Sequence, residues 1–520
     1  MVLLVVIAAL VGLPYLWDAP RFRDETFNAL RSLAIYRGEL APLTDVELYM
    51  GSFYNYVVAG LFWVTGPTIY GARLVVAVFA AATVGVAYLL GREVGGRAVG
   101  VITAALLLTN GVHVAAVGHV GFSAHISPFF TAAGFWLLHR AMVRRSGPAL
   151  ALAGFAFGMG LHTHPTTVAY LIGALGWFLV VGRSWLRTRW PYVALLAFTI
   201  AYSLETGGES IRHAIYTATE RPDYARGRDT SLTVQAYISR QHDFWLMLYR
   251  TVGGALDDRR SESDYLRDPA LAIAGIVALA STLWAARRGY ALPLWAVGSL
   301  AVVLPIFNAT HYDVVGDANY VVKTLPLIYA CVALATVTAL RQLRRIALRP
   351  LRIAASVGLA ALLIQVYLVY SLWLLNDYYR VALRAEPPNR VLIAAAGELL
   401  AARAADEVVV LDNRLNERRV ADASPWDEES TFRIMRLILE FEEVSYEIDD
   451  LDDDILDDLV ARDRSAILIV SSGRNSRDTD RLNQLIAEYD LRALDGAAGQ
   501  APRPADRFAV LRLHPAAPTE

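Results

Sequence analysis

GSFYNYVVAGLFWVTGPTIYGARLVVAVFAAATVGVAYLLGREVGGRAVG, residues 51–100, is the stretch that decides the fold. Its first third is apolar and aromatic and stops at Gly66-Pro67. A second apolar run opens at Ala72-Arg73-Leu74 and lasts to Leu90, and a short polar connector with Arg92, Glu93 and Arg97 leads into a third. A bilayer core takes about 20 apolar residues per helix, and these runs with their flanks approach that length. On either side, blocks of the same texture cover residues 1–16, 99–117 and 150–161, and others follow up to 351–375. The chain of 520 residues is 55% hydrophobic and only 19% charged, whereas a soluble chain carries about a quarter charged residues. The composition and the block pattern predict a polytopic α-helical membrane protein.

About eleven blocks are read as spans: roughly 2–17, 69–90, 98–117, 124–142, 149–163, 165–182, 190–206, 269–286, 291–308, 320–340 and 352–375. The connectors between them alternate. One set holds fifteen arginines against one acid, Glu93, and the other set carries nearly all the acids of this half. Short arginine-rich loops face the cytoplasm, so the N-terminus is expected inside and the residues after the last span outside. Segment 51–66 would spoil the parity as a span, and is expected to be interfacial or re-entrant. The first run lacks a positive start and a small-residue cleavage site before Trp17, so it is expected to be retained. From about Pro387 charges recur every few residues. Two domains follow, a transmembrane one at 1–380 and a small soluble extracytoplasmic one at 385–520.

A net charge of −2 gives no case for nucleic acid. Lys323 is the only lysine among 48 basic residues, which with the many alanines suggests a GC-rich bacterial genome. Cys331 is the only cysteine, so no intramolecular disulfide can form.

Chemistry is expected where ionisable groups collect at a membrane face. The first outer loop runs Asp18-Ala-Pro-Arg-Phe-Arg-Asp24-Glu25-Thr-Phe-Asn-Ala-Leu-Arg31. Phe27, Leu30 and Ala34 recur at helical spacing, which predicts a short surface helix capped by Asp24. An acidic pair at a helix start also suits the helix dipole, with no further purpose required.

The order of these features resembles the N-terminal half of the GT-C glycosyltransferases, near the bacterial protein O-mannosyltransferases and lipid A aminoarabinose transferases. The matching motifs are Gly51 to Tyr54, Gly66-Pro67 and Ala72-Arg73-Leu74. GHVGFSAHISPFFTAAGFWLLHRA and GLHTHPTTVAYLIGAL follow, and then ANYVVKTLPLIYA. The likeness covers about residues 1–375. It implies a GT-C-like fold and an enzyme of the bacterial plasma membrane. Such an enzyme takes a sugar from a polyprenyl-phosphate donor, at the outer face, to an acceptor that is a protein, lipid or glycan, with inversion. It further implies Asp24, with Glu25 beside it, as the catalytic carboxylate that accepts the acceptor's proton. A metal-binding or acceptor-orienting role for Asp24 is the alternative. Cations would stabilise the departing phosphate. Lys323 matches a basic residue of the family near a late helix, and Arg73 and Arg212 are further donor-phosphate candidates. A lysine snorkelling to the interface is the bland reading of Lys323.

His119, His125, His162 and His164 fall in two short outer hairpins, where they could share a divalent metal ion or the donor phosphate. Histidines also simply tolerate membrane interfaces. The family often has an acid where Ser123–His125 stands, which weakens the case for a carboxylate-based metal site. The long outer loop 205–268, with an amphipathic piece at 234–249, is a candidate lid over the donor. The C-terminal domain alternates strand-like runs (407–411, 466–471, 508–513) with helical patterns (428–442, 479–489), the signature of a small α/β layer. The acidic run 449–458 keeps Leu451, Ile455 and Leu459 on one stripe, a solvated helix face and not a calcium loop. Two rival functions remain. A transporter or flippase of a lipid-linked glycan would bury ionisable residues mid-helix, and the sequence has almost none. The other is a non-catalytic relative acting as a scaffold.

Overall fold

A computed structural model describes residues 1–16, 23–40, 50–203, 233–255, 262–306, 318–384, 408–412, 436, 439–441, 443, 446–449, 453–462, 465–471, 476–493 and 508–513. The chain divides into two compact units. One holds residues 1–19, 34–61 and 70–381, and the other holds 20–33, 62–69 and 382–520.

The first unit is helical. Four helices among the described residues are each long and apolar enough to cross a bilayer: Gly71–Gly95, Pro269–Arg287, Leu325–Leu343 and Arg349–Asp377. Shorter apolar helices include Arg97–Leu108, Thr167–Val181, Trp190–Tyr202 and Leu292–Ile306. Their outer faces are what an aqueous protein would have to hide. The Trp190–Tyr202 helix buries only Ala201 and exposes Leu195, Leu196 and Ile200. Helix Arg349–Leu363 buries no residue at all. Such apolar surface is stable against lipid, where helices satisfy their own backbone.

Small residues set the closest helix contacts. In helix Gly147–Thr163, Gly154 and Gly158 lie one turn apart and face helix Trp190–Tyr202. A methyl at Gly154 would come within 2.1 Å of the Ala194 carbonyl oxygen, and one at Gly158 within 2.4 Å of that of Phe198. Without a hydrophobic drive between helices in lipid, this backbone approach is how they hold together. On the arginine-rich side, Glu93 is bound by Arg144 at 3.2 Å and Arg140 at 3.4 Å.

Two expected spans are interrupted. The block 98–117 is α-helical only to Leu108, and a π-helical turn occupies His113–Val117. Between them Asn110 is buried: its amide donates to the Thr251 carbonyl (2.9 Å) and the Tyr329 hydroxyl (2.8 Å), and its carbonyl accepts the His113 N–H (2.9 Å). The block 320–340 is likewise two helices, Ala318–Val322 and Leu325–Leu343, with Lys323 and Thr324 in the turn between them. Pro326 opens the second helix, where its missing N–H costs nothing.

In the second unit, five strands form a sheet in the order β2-β1-β3-β5-β4. They are β1 Val408–Asp412, β2 Tyr446–Asp449, β3 Ala466–Ser471, β4 Arg492–Ala493 and β5 Phe508–Leu513. β1 runs parallel to β2 and β3, while β5 is antiparallel to β3 and β4. Residues 466–470 of β3 are buried on both faces, as its unbroken apolar run requires. Leu456 and Leu459 of helix Asp453–Ala461 and Leu485 of helix Ser476–Glu488 pack on the sheet, leaving Asp454, Asp457 and Asp458 exposed. From Asp454 on the acidic run is thus a solvated helix face, while Asp449 ends β2 and residues 450–452, with Leu451, lie outside the described residues. Phe62 meets Phe441 edge-on in this same unit, with centroids 5.6 Å apart.

The first-loop helix differs from expectation. It spans Arg23–Tyr36, so Asp24 lies in its first turn and not at the cap. The buried stripe is Glu25, Asn28, Ala29, Ser32 and Leu33, whereas Phe27, Leu30 and Ala34 are only partly covered. Apolar spacing points to the wrong stripe, because this helix buries polar groups. Ser32 satisfies its hydroxyl on the Asn28 carbonyl at 2.7 Å.

Candidate functional site

Within the first unit, the motifs quoted from sequence converge on one small region. The turn Met50–Phe53 touches both histidine hairpins. The Ser123 hydroxyl lies 3.2 Å from the Met50 sulfur, and the Gly51 N–H donates to the His162 carbonyl at 2.7 Å. The Phe53 N–H donates to His162 Nε2 at 3.2 Å, and Nδ1 of the same ring bonds the Tyr202 carbonyl at 3.2 Å. His162 is therefore an Nδ1–H tautomer with both nitrogens engaged by backbone.

Hairpin 119–125 presses on the Ala72-Arg73 pair. A methyl on Gly121 would stand 2.8 Å from Ala72 Cβ and 3.1 Å from the Arg73 nitrogen, so only glycine fits. The Tyr54 hydroxyl donates to the Ala72 carbonyl at 2.9 Å. Arg73 is fully buried and donates from Nη1 to the Leu16 carbonyl at 2.8 Å, where the first helix ends. A guanidinium satisfies an orphan helix carbonyl well. His125 bonds the Val120 carbonyl through Nδ1 at 3.1 Å and stands edge-on to Phe122.

The other pole of the region is Lys323. It is fully buried, and its ammonium donates to Thr166 Oγ1 at 2.7 Å and sits 5.8 Å above the Tyr170 ring. Among the described residues it has no carboxylate partner. Thr166 Oγ1 is also 2.7 Å from His164 Nδ1, and the Thr166 N–H points to the same nitrogen at 3.3 Å. The His164 ring lies 5.5 Å from that of Tyr320, whose carbonyl accepts the Tyr170 hydroxyl at 2.6 Å. Burial holds the His164 imidazole well below its ordinary range, and Lys323 and His125 add to the effect.

The structure thus brings His125, His162, His164, Arg73 and Lys323 into one neighbourhood, with His119 buried in the same hairpin as His125. Among the described residues, no three His, Cys, Asp or Glu side chains are grouped to hold a metal ion. Glu25 is buried on its own helix in the second unit. The Asp24 side chain and Arg212 lie outside the described residues. Thr166 and Gly121 do not stand out as site residues in the sequence, though each lies two residues from a histidine that does, and Tyr54 is marked only as the end of a motif.

Residues 51–204 match the family model of the dolichyl-phosphate-mannose-protein mannosyltransferases. The structure is similar to ArnT from Cupriavidus metallidurans bound to undecaprenyl phosphate, with TM-score 0.56 and 13% identity over 98% of this chain and 97% of that one. The apo state of the same protein gives 0.54 and 14% over the same shares. An Archaeoglobus fulgidus oligosaccharyltransferase tethered to an acceptor peptide gives 0.51 and 13%, over 87% of this chain and 64% of that one. No curated sequence matches. These likenesses show the fold: over nearly its whole length the chain shares the architecture of the ArnT structures. The family model covers residues 51–204, under a third of the chain.

Proposed function

We propose that the chain transfers a sugar from a polyprenyl-phosphate donor to a protein, lipid or glycan acceptor, inverting the anomeric carbon. The observation that carries this reading is Lys323, a fully buried lysine with no carboxylate partner among the described residues. An ammonium so placed costs stability unless an anion comes to it. A lipid phosphate is such an anion, and ArnT from Cupriavidus metallidurans binds one, undecaprenyl phosphate. In the reaction, an acceptor oxygen attacks C1 and passes its proton to the Asp24 carboxylate. The C1–O bond breaks with its electrons on the phosphate, where Lys323 offsets the growing charge. Arg73 donates from Nη1 to the Leu16 carbonyl and is assigned first to holding the first helix. The histidines are assigned to the hydrogen-bonded frame and not to a metal. The active site faces outside a bacterial plasma membrane, with the N-terminus in the cytoplasm.

The test is Asp24→Asn in purified protein supplied with a polyprenyl-phosphate sugar. Asparagine keeps the size and helix compatibility, so folding and donor binding should persist while transfer falls about a hundredfold or more. Glu25→Gln should cost less, because neighbours on a helix point apart and one carboxylate faces the reacting oxygen. Near-normal turnover in both variants would move the catalytic centre elsewhere. Wild-type protein that binds the donor but transfers nothing would favour the scaffold.

A further inference from the structure

We propose that Thr166 is a positioning residue, whose hydroxyl, anchored on His164, fixes the Lys323 ammonium in the orientation that meets the donor phosphate. The inference rests on the donor assignment above and adds residues to it. Three observations support it. First, two donors from Thr166 point at His164 Nδ1, the backbone N–H at 3.3 Å and the hydroxyl at 2.7 Å. Nδ1 is therefore the acceptor, which assigns the Nε2–H tautomer. Second, a hydroxyl has one proton. With it committed to His164, the Thr166 oxygen turns its lone pairs outward, and Lys323 Nζ occupies one of them at 2.7 Å. Third, Lys323 sits in the two-residue break between helices Ala318–Val322 and Leu325–Leu343, where no helix ladder constrains its start.

A lysine is a point charge on a four-carbon stem with several rotatable bonds. Left loose, it would have to be ordered again at each donor encounter. The link to Thr166 holds one of its three N–H groups and leaves two without a hydrogen-bond partner among the described residues. Those two are directed by the geometry of the first. The Tyr170 ring on the other side narrows the choice further. The ordering is thus completed before the phosphate arrives, which is where preorganised electrostatic stabilisation gains its advantage.

Lys323 being the only lysine makes the link directly observable. Lysine labelled at Cε and Nζ, incorporated into the full chain, gives the side-chain signals of one residue. Adding a polyprenyl monophosphate in detergent should shift those signals in the wild type. Thr166→Val matches the shape of threonine without its hydroxyl. It should alter the lysine signal before any ligand is added and lower kcat/KM for the donor about tenfold or more, the scale of a lost hydrogen bond to a charged group. Thr166→Ser should restore both to within about threefold. His164→Phe, which keeps a ring and removes the Nδ1 acceptor, tests the link from its other end and should disturb the same signal. It decides the matter if Thr166→Val does not fold. Wild-type transfer with Thr166→Val or His164→Phe leaving the lysine signal and kcat/KM unchanged would overturn this inference alone. A wild type that neither responds to the monophosphate nor transfers sugar would overturn the donor assignment and this inference with it.

Discussion

Arg73 Nη1 donates to the Leu16 carbonyl oxygen at 2.8 Å, joining the start of helix Gly71–Gly95 to the end of the first helix. Both partners are buried. Replacing Arg73 with methionine keeps the stem and removes the donor, leaving a helix-end carbonyl unsatisfied. The expected cost is about 1–3 kcal/mol. It is read as a lower unfolding midpoint in detergent with no donor present. Lysine should rescue only partly, since its single ammonium does not reproduce the guanidinium fork. An unchanged midpoint in Arg73→Met, with weakened donor binding, would return Arg73 to the phosphate.

The Gly154/Gly158 seam predicts a steep size dependence. Gly158→Ala places a methyl 2.4 Å from the Phe198 carbonyl oxygen, and backbone must yield. Overpacking of this kind costs about 1–3 kcal/mol. Gly298→Ala is the control, since no atom lies within 4 Å of its added methyl. Thermal midpoints of the two variants should differ clearly; equal midpoints would mean the helices separate freely.

His164 should make the protein acid-sensitive. Its imidazole titrates near 6.5 when unfolded and well below that when folded, chiefly through burial. Below about pH 6.5 the unfolded chain therefore takes up a proton that the folded chain refuses, and stability falls until the folded group also titrates. Denaturation followed from neutral pH down to about pH 5 should show a slope that is shallower in His164→Asn. Parallel curves for the two proteins would rule out this histidine as the source.

Orientation can be settled with reporters. A phosphatase that is active only outside the cytoplasm should report activity when fused after Glu520. The same enzyme in the Arg341–Arg352 connector should be silent. The fifteen arginines on one side require this pattern, and the reverse pattern would invert the molecule.

Parts of the fold are plain in the residues. β3 and β5 run where their apolar stretches do, residue for residue, and β3, buried on both faces, needs no alternation. β2, Tyr446–Asp449, is not legible: four residues, two of them acidic, at a sheet edge carry no pattern. The helix breaks at Asn110 and Lys323 are averaged away inside apolar blocks, although Lys323 itself stands out as the only lysine. At the candidate site, His164 stands out for its ring, while Thr166 looks like ordinary helix-start punctuation. Its role comes from an approach of Lys323 across 157 residues, which local spacing cannot reveal. The helix carrying Glu25 misleads for a related reason. Apolar periodicity locates a buried face only when that face is apolar, and here Asn28 and Ser32 share it with Glu25.

The second unit is built from distant parts of the chain, residues 20–33 and 62–69 with 382–520. Synthesis delivers these pieces far apart in time. At about 5–20 residues per second, well over a dozen seconds pass between emergence of the Glu25 helix and arrival of the last segment. Until then that helix, with its acidic pair, has no completed unit to join. Assembly of the second unit therefore waits for residues 382–520. A chain stopped before Ala382 should insert into the membrane, yet leave the Arg23–Tyr36 helix open to protease.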